Sequence, residues 1–148
     1  MAANYKLHLA EEKDAKAIRA LIIKSRINPT GLDWQRFVLA VTDGDEIIGC
    51  GQIKPHRDGS LELASIAVTS AWRGNGVARA IIEYLLAAHQ GALYLMCQSS
   101  LGPLYEKFGF ETIQAELMPK YFRRVSKLAG LAELMRIQGE TLLVMQRG

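Results

Sequence analysis

Only two cysteines occur in the 148 residues, Cys50 and Cys97, each alone in an apolar run. With no CxxC pair and no partner at metal-ligand spacing, they exclude a disulfide framework and offer no cysteine-built metal site. Both are expected to be reduced, buried and inert. Long hydrophobic runs are missing as well, and none approaches the roughly 20 residues needed to span a bilayer. The opening "MAANYKLHLAEEKDAK" has acidic and basic residues where a secretory signal needs an apolar stretch, which predicts a cytoplasmic protein. No charge of one sign dominates. The formal surplus is +3, too small to imply a nucleic-acid partner, and no recognised motif or interleaved aromatic array adds to it. Repeats, linkers and low-complexity segments are absent, so one domain over residues 1–148 is expected. A composition of 49% hydrophobic and 22% charged residues is that of a globular chain with a real core.

Alternation over Tyr5 to Leu9 predicts a strand. Ala15, Ile18, Leu21 and Ile22 then recur at helical spacing within Glu11 to Arg26. "NPTGLDW" reads as loop. "RFVLAVTDGDEIIGCGQIK" supplies two strands around Asp43-Gly44, where glycine at positive φ favours a tight hairpin turn. "HRDGS" turns the chain into "LELASIAV", completing a three-strand antiparallel meander. Ala78, Ile81, Ile82, Leu85 and Leu86 form one face of a second helix that ends near Gly91, and "ALYLMC" is a short buried strand. "GPLYEKFGF" predicts a short helix ending at Gly109, with a strand around Phe110 to Ile113. Residues 119–136 read as helix and "ETLLVMQR" as the last strand. Such an order predicts a mixed α/β protein with helices packed on a central sheet.

The segment "AVTSAWRGNGVARAII" joins a strand to a helix through Arg73, Gly74, Asn75 and Gly76. Successive backbone N–H groups at such a turn, with the positive end of a helix dipole behind them, suit an anion such as phosphate. Gly74 and Gly76 remove Cβ atoms that would hold an anion off, and Arg73 can add a charge-assisted contact. Two familiar phosphate loops do not match. The Walker loop needs Gly-Lys before Ser or Thr, and the dinucleotide fingerprint needs glycine where Arg79 stands. Read from these residues alone, the turn is either an anion cradle or a plain bend eased by glycine.

Arg73-x-x-Gly76-x-Ala78 resembles the acyl-CoA signature of the GCN5-related N-acetyltransferase superfamily, written Arg/Gln-x-x-Gly-x-Gly/Ala. "PLYEKFGF" (Pro103 to Phe110) is similar to that family's "LYEKLGF" element, and the intervening elements follow the family's order over Leu61 to Phe110. The resemblance implies a mixed, mostly antiparallel sheet of six to seven strands flanked by helices and splayed between the fourth and fifth. It also implies acetyl-CoA as co-substrate and no metal. The pantetheine would pair with backbone of Ile66, Ala67 and Val68, and the pyrophosphate would sit on N–H groups of Arg73, Gly74, Asn75, Gly76, Val77 and Ala78. Gln98 and Ser99 would complete the cofactor contacts.

By the same resemblance Glu62 is the general base and Tyr105 the general acid for the leaving thiolate. Independently of it, a carboxylate between Leu61 and Leu63 is costly unless it faces a wet cleft, where partial desolvation raises its pKa. An attacking amine must be unprotonated, so a base is needed. Where the family often has Asn and Ala before its tyrosine, this chain has Gln98 and Leu101. His56, in the turn before Glu62, can assist proton removal through water.

The acceptor implied is a primary amine of a small molecule or peptide, attacked directly in a ternary complex. "MPKYFRRVSKLAGLAELMR" adds a helix beyond a minimal family member. Phe122, Val125, Ala129 and Ala132 make an apolar face, and Lys120, Arg124 and Lys127 with Arg123 a basic one. That basic face is either solvated or a contact for an acidic acceptor, a subunit partner such as a second copy in a homodimer, or an anionic surface. The alternative to an enzyme is a non-catalytic CoA-binding module that uses this helix for interaction.

Overall fold

The computed structural model describes residues 4–133 and 141–148. They contain seven strands in one sheet, in the order Tyr5–Leu9, Phe37–Thr42, Ile47–Pro55, Leu61–Val68, Leu93–Gln98, Leu142–Arg147, Glu111–Thr112, and the chain falls into two compact units, Met1–Lys54 with Leu63–Gln90 and Pro55–Glu62 with Gly91–Gly148.

The first unit holds β1 (Tyr5–Leu9), α1 (Ala15–Lys24), β2 (Phe37–Thr42), nearly all of β3 (Ile47–Pro55), most of β4 (Leu61–Val68) and α2 (Val77–Ala87). β1 and β2 pair antiparallel from Tyr5↔Thr42 to Leu9↔Val38, and β2 pairs antiparallel with β3 from Phe37↔Gln52. α1 buries Ile18, Leu21 and Ile22 in a core with Phe37, Leu39, Cys50 and Ala67, while Ala15, at the start of the helix, is exposed. At the β2–β3 hairpin the left-handed residue is Asp45 (φ 64°), not Gly44. Two hydrogen bonds, Asp45 N–H to Thr42 O and Thr42 N–H to Glu46 O, both 2.9 Å, close the loop around Asp43 to Asp45. Aspartate is among the few residues that tolerate this conformation.

Glycine matters more on β3. A Cβ at Gly51 would lie 2.6 Å from Ile66 Cδ1 and 2.7 Å from Ile81 Cγ2, and one at Gly49 would lie 2.8 Å from Val77 Cγ1. The missing side chains let α2 sit close on the sheet, which fixes where its N-terminus points. Gly51→Ala is therefore expected to overpack this layer and lower stability by about 1–3 kcal/mol, read from the denaturant midpoint.

Burial pushes the Cys50 thiol up to about 12 from 9.0, opposed by a backbone hydrogen bond from Ala67. A thiol whose proton is held more tightly in the folded chain stabilises below pH 9, and that contribution is lost as pH rises from 9 towards 12. Cys50→Ala should flatten the fall in unfolding midpoint over this window. An equally steep fall in the variant would exclude Cys50 as its source.

The second unit contains the 55–62 turn, β5 (Leu93–Gln98), α3 (Gly102–Glu106), β6 (Glu111–Thr112), α4 (Lys120–Glu133) and β7 (Leu142–Arg147). β5 pairs antiparallel with β7 from Leu93↔Arg147 to Gln98↔Leu142, and β6 pairs antiparallel with β7. β4 meets β5 in parallel with the register pair Glu62↔Tyr94, the end-on pairing expected for a sheet splayed between its fourth and fifth strands. α3 stops at Glu106, earlier than expected, and a turn carries the chain to Gly109 (φ 90°). Arg147 Nε donates to Phe108 O (2.9 Å) and ties this turn to β7.

α4 packs Phe122 against Met118 and Val144, with Tyr94, Met96, Ile113 and Tyr121 around them. Val125 and Ala129 are half-buried on the same helix. The side chain of Ala132, and residues 134–136 of the expected helix, lie outside the described residues. Arg123 departs from the expected basic face, because its guanidinium donates to the carbonyls of Ala115 (3.1 Å), Glu116 (3.4 Å) and Met118 (3.1 Å). It thereby fastens the preceding 3-10 turn to α4. None of the helices among the described residues is long and apolar enough to cross a membrane.

Candidate active site

In the first unit, β4 leads into a short 3-10 turn (Ser70–Trp72), then Arg73 to Gly76, then α2. Gly74 (φ 82°) and Gly76 (φ 77°) are both left-handed, a conformation that costs other residues about 1–2 kcal/mol. Asn75 Nδ2 donates to Trp72 O (3.1 Å) and Arg73 O (3.3 Å), bracing the loop from within. Gly76 is the N-cap of α2, and no side chain caps that end. A Cβ built on Gly74 or Gly76 meets nothing within 4 Å. The glycines thus serve backbone conformation and leave open space above the first turn of the helix, where N–H groups and the helix dipole favour an anion. Arg73 is exposed beside them, and Val77 and Ala78 begin the helix with Val77 buried beneath. An anionic group such as a pyrophosphate is of the chemistry this cradle accepts.

Just before this turn, Ser65 has φ 60° in the middle of β4, a left-handed serine inside a strand. Its hydroxyl accepts from the wholly buried Gln52 Nε2 (2.9 Å), and its carbonyl accepts from Cys50 Sγ (3.5 Å). These contacts hold a backbone conformation that serine seldom adopts. The irregularity immediately precedes Ile66, Ala67 and Val68, of which Ala67 is buried and the other two half-buried. Nothing in "LELASIAV" signals it, since the strained position carries no glycine.

In the second unit, the turn after β3 folds His56 back over Glu62. His56 N–H donates to Ser60 O (3.0 Å), Gly59 takes φ 88°, and His56 Nε2 lies 2.7 Å from Glu62 Oε1. The two side chains are only 7% and 9% exposed. The imidazole stacks on Tyr121 with ring centroids 3.6 Å apart and 16° between planes, and it meets Phe122 edge-on at 5.5 Å. Burial, followed by the neighbouring Glu62 charge, raises the Tyr121 phenol above its usual value. Asp58 accepts from Tyr121 N–H (3.0 Å), so the turn also caps α4. A carboxylate and an imidazole in direct contact can accept and pass on a proton.

Tyr105 lies in α3, half-buried, with its ring edge-on to Phe110 at 6.2 Å. Burial, with a smaller contribution from Cys97, pushes its phenol up to about 12. Its hydroxyl has no protein hydrogen-bond partner among the described residues, so it is available as a donor. Gln98 is exposed at the end of β5. Ser99 Oγ accepts from Thr141 N–H (3.2 Å), and Ser99 N–H donates to Thr141 O (2.8 Å), a reciprocal pair that anchors the approach to β7.

Sequence reasoning singled out Glu62 but missed the closeness of His56, which it expected to act only through water. The spacing of six residues around a glycine turn is the signal that was available. Tyr121, from a helix far along the chain, left no such trace.

Residues 33–112 match the family model described as an acetyltransferase (GNAT) domain. No curated protein sequence matches the chain. Among solved structures, N-acetylglutamate synthase from Neisseria gonorrhoeae, complexed with coenzyme A and N-acetyl-glutamate, superposes with a TM-score of 0.70 at 17% identity, over 99% of this chain and 35% of that one. The chain therefore spans about a third of that synthase. Rv2747 from Mycobacterium tuberculosis, solved in complex with CoA, gives a TM-score of 0.70 at 20% identity, covering 96% of this chain and 98% of its own. Escherichia coli ElaA gives 0.66 at 18% identity, covering 98% and 99%. At these identities the structural likeness bears on the fold, which it shares with this seven-stranded sheet. The family match, over more than half of the chain, establishes that this protein belongs to the GNAT acetyltransferase family.

Proposed function

We propose that the protein is an acetyl-CoA-dependent N-acetyltransferase that acts on a primary amine of a small molecule or peptide by direct attack within a ternary complex. The observation that carries this reading is the uncapped start of α2 beneath two left-handed glycines whose outer faces are open. There the pyrophosphate of acetyl-CoA rests on backbone N–H groups of Arg73 to Ala78, with the Arg73 side chain at the rim. The pantetheine amides pair with backbone of Ile66 to Val68. That two of the related structures contain coenzyme A supports the same co-substrate here.

In the reaction the amine nitrogen attacks the thioester carbonyl, the C–N bond forms and the C–S bond breaks. The amine gives up a proton and the sulfur leaves as thiolate. Glu62, in contact with His56, receives that proton, and the imidazole offers a path by which it is passed outward. Tyr105 stays protonated at neutral pH. Its proton is held at about 12, well above the roughly 8.5 of a thiol. It therefore favours the leaving sulfur as a hydrogen-bond donor more than by complete transfer, and water completes the protonation.

Tyr105→Phe tests this part of the reading. It is expected to lower kcat by about 10- to 100-fold while acetyl-CoA affinity stays within about twofold, since the lost hydrogen bond matters most as charge develops. Undiminished turnover would remove Tyr105 from the reaction.

A further inference from the structure

The 55–62 turn and the start of α4 line an open cavity of about 600 Å³, within the size range of small-molecule sites. Arg57, Lys120 and Arg124 line it together with His56 and Tyr121. None of the three cations forms an ion pair with a carboxylate among the described residues. Asp58, the carboxylate on the wall, is already engaged: Oδ1 accepts from the N–H and hydroxyl of Ser60, and Oδ2 from the N–H of Tyr121. Arg123, one position before Arg124, is likewise committed to backbone carbonyls. Three exposed cations without a carboxylate partner among the described residues thus face one space, which favours entry of an anion. The floor is the His56–Tyr121 stack, and His56 holds Glu62.

Resting on the proposed N-acetyltransferase activity, we infer that this cavity is the acceptor site and that its substrate is a small amine carrying at least one carboxylate, such as an acidic amino acid. Arg57, Arg124 and Lys120 bind the carboxylate, arginine by its planar fork. The amine lies towards the His56–Glu62 pair, where Glu62 takes its proton. Polyamines and basic peptides are disfavoured by the same charges.

A graded series tests the inference: L-glutamate, L-glutamine and L-glutamine α-amide keep one skeleton and carry two, one and no carboxylates. Amine-dependent thiol release from acetyl-CoA gives kcat/KM for each, and calorimetric titration of L-glutamate gives binding without turnover. The expected result is a fall of about 10-fold or more in kcat/KM across the series. In the Lys120→Gln/Arg124→Gln variant, KM for glutamate should rise about 10-fold or more, with KM for the α-amide and acetyl-CoA affinity within about twofold. These side chains are exposed, so the variant is expected to fold, and an unchanged thermal midpoint checks it. A flat or inverted series alongside turnover of uncharged amines overturns the inference and leaves the acetyltransferase intact. Loss of acetyl-CoA affinity in the variant, with KM for glutamate unchanged, also overturns it by giving these cations to the co-substrate. If acetyl-CoA neither binds nor releases thiol, the underlying activity fails; the glutamate titration still decides the cavity, since binding abolished by the variant supports it and no binding overturns it.

Discussion

Glu62→Gln is expected to lower kcat by about 10²- to 10⁴-fold, the range over which a positioned general base contributes, while acetyl-CoA affinity stays within about twofold. The amide matches the carboxylate in shape and can still bond to His56, so the packing of His56 between Glu62 and Tyr121 should survive. What the substitution removes is the ability to take a proton. The pH profile of kcat/KM separates this loss from a structural one: removing the base should change the shape of the profile in Glu62→Gln, whereas a merely loosened site would keep its shape at lower amplitude. His56→Gln should fall between the two, with the carboxylate kept and its outlet removed. A Glu62→Gln enzyme with wild-type turnover and an unchanged profile would place the base elsewhere.

The second large effect is expected at Gly76. Glutamate there adds a negative charge and a side chain in the open space over the first turn of α2, on a residue at φ 77°. Repulsion of the pyrophosphate, loss of the backbone cradle and left-handed strain act together. Acetyl-CoA affinity should fall by at least about 100-fold, or about 2.7 kcal/mol. Gly76→Ala carries the strain without the charge, so it should lower thermal stability while weakening acetyl-CoA much less. Equal affinities for wild type and Gly76→Glu would mean that the phosphates bind somewhere else.

The sequence made the first unit's site far more legible than the second's. The 73–78 turn is written in consecutive residues, because a helix N-terminus and two left-handed positions are local demands that glycine and asparagine meet on the spot. The strands themselves and the three-strand meander were readable for the same reason: alternation and turns are short-range. The β2–β3 loop shows the limit of that reading, since Asp43-Gly44 offered an easy left-handed glycine and the chain put the strain on Asp45 instead. Ser65 shows it again. Its conformation is held by Gln52 and Cys50 across the sheet, which no local pattern encodes.

The His56–Glu62–Tyr121 cluster is half local. A six-residue spacing across the "HRDGS" turn brings imidazole to carboxylate, but the ring that covers them comes from α4, and its arrival depends on Phe122 packing against Val144 and on Asp58 capping the helix. The basic segment was visible as composition yet not as function. Only the structure separates Arg123, spent on carbonyls, from Lys120 and Arg124, which line a cavity.

Whether this protein uses acetyl-CoA is decided by calorimetric titration of it with acetyl-CoA, with Gly76→Glu alongside and free thiol followed as amines are added. Saturable binding by the wild type is expected, with its loss in the variant and thiol release that depends on the amine. No binding by the folded wild-type protein would contradict it.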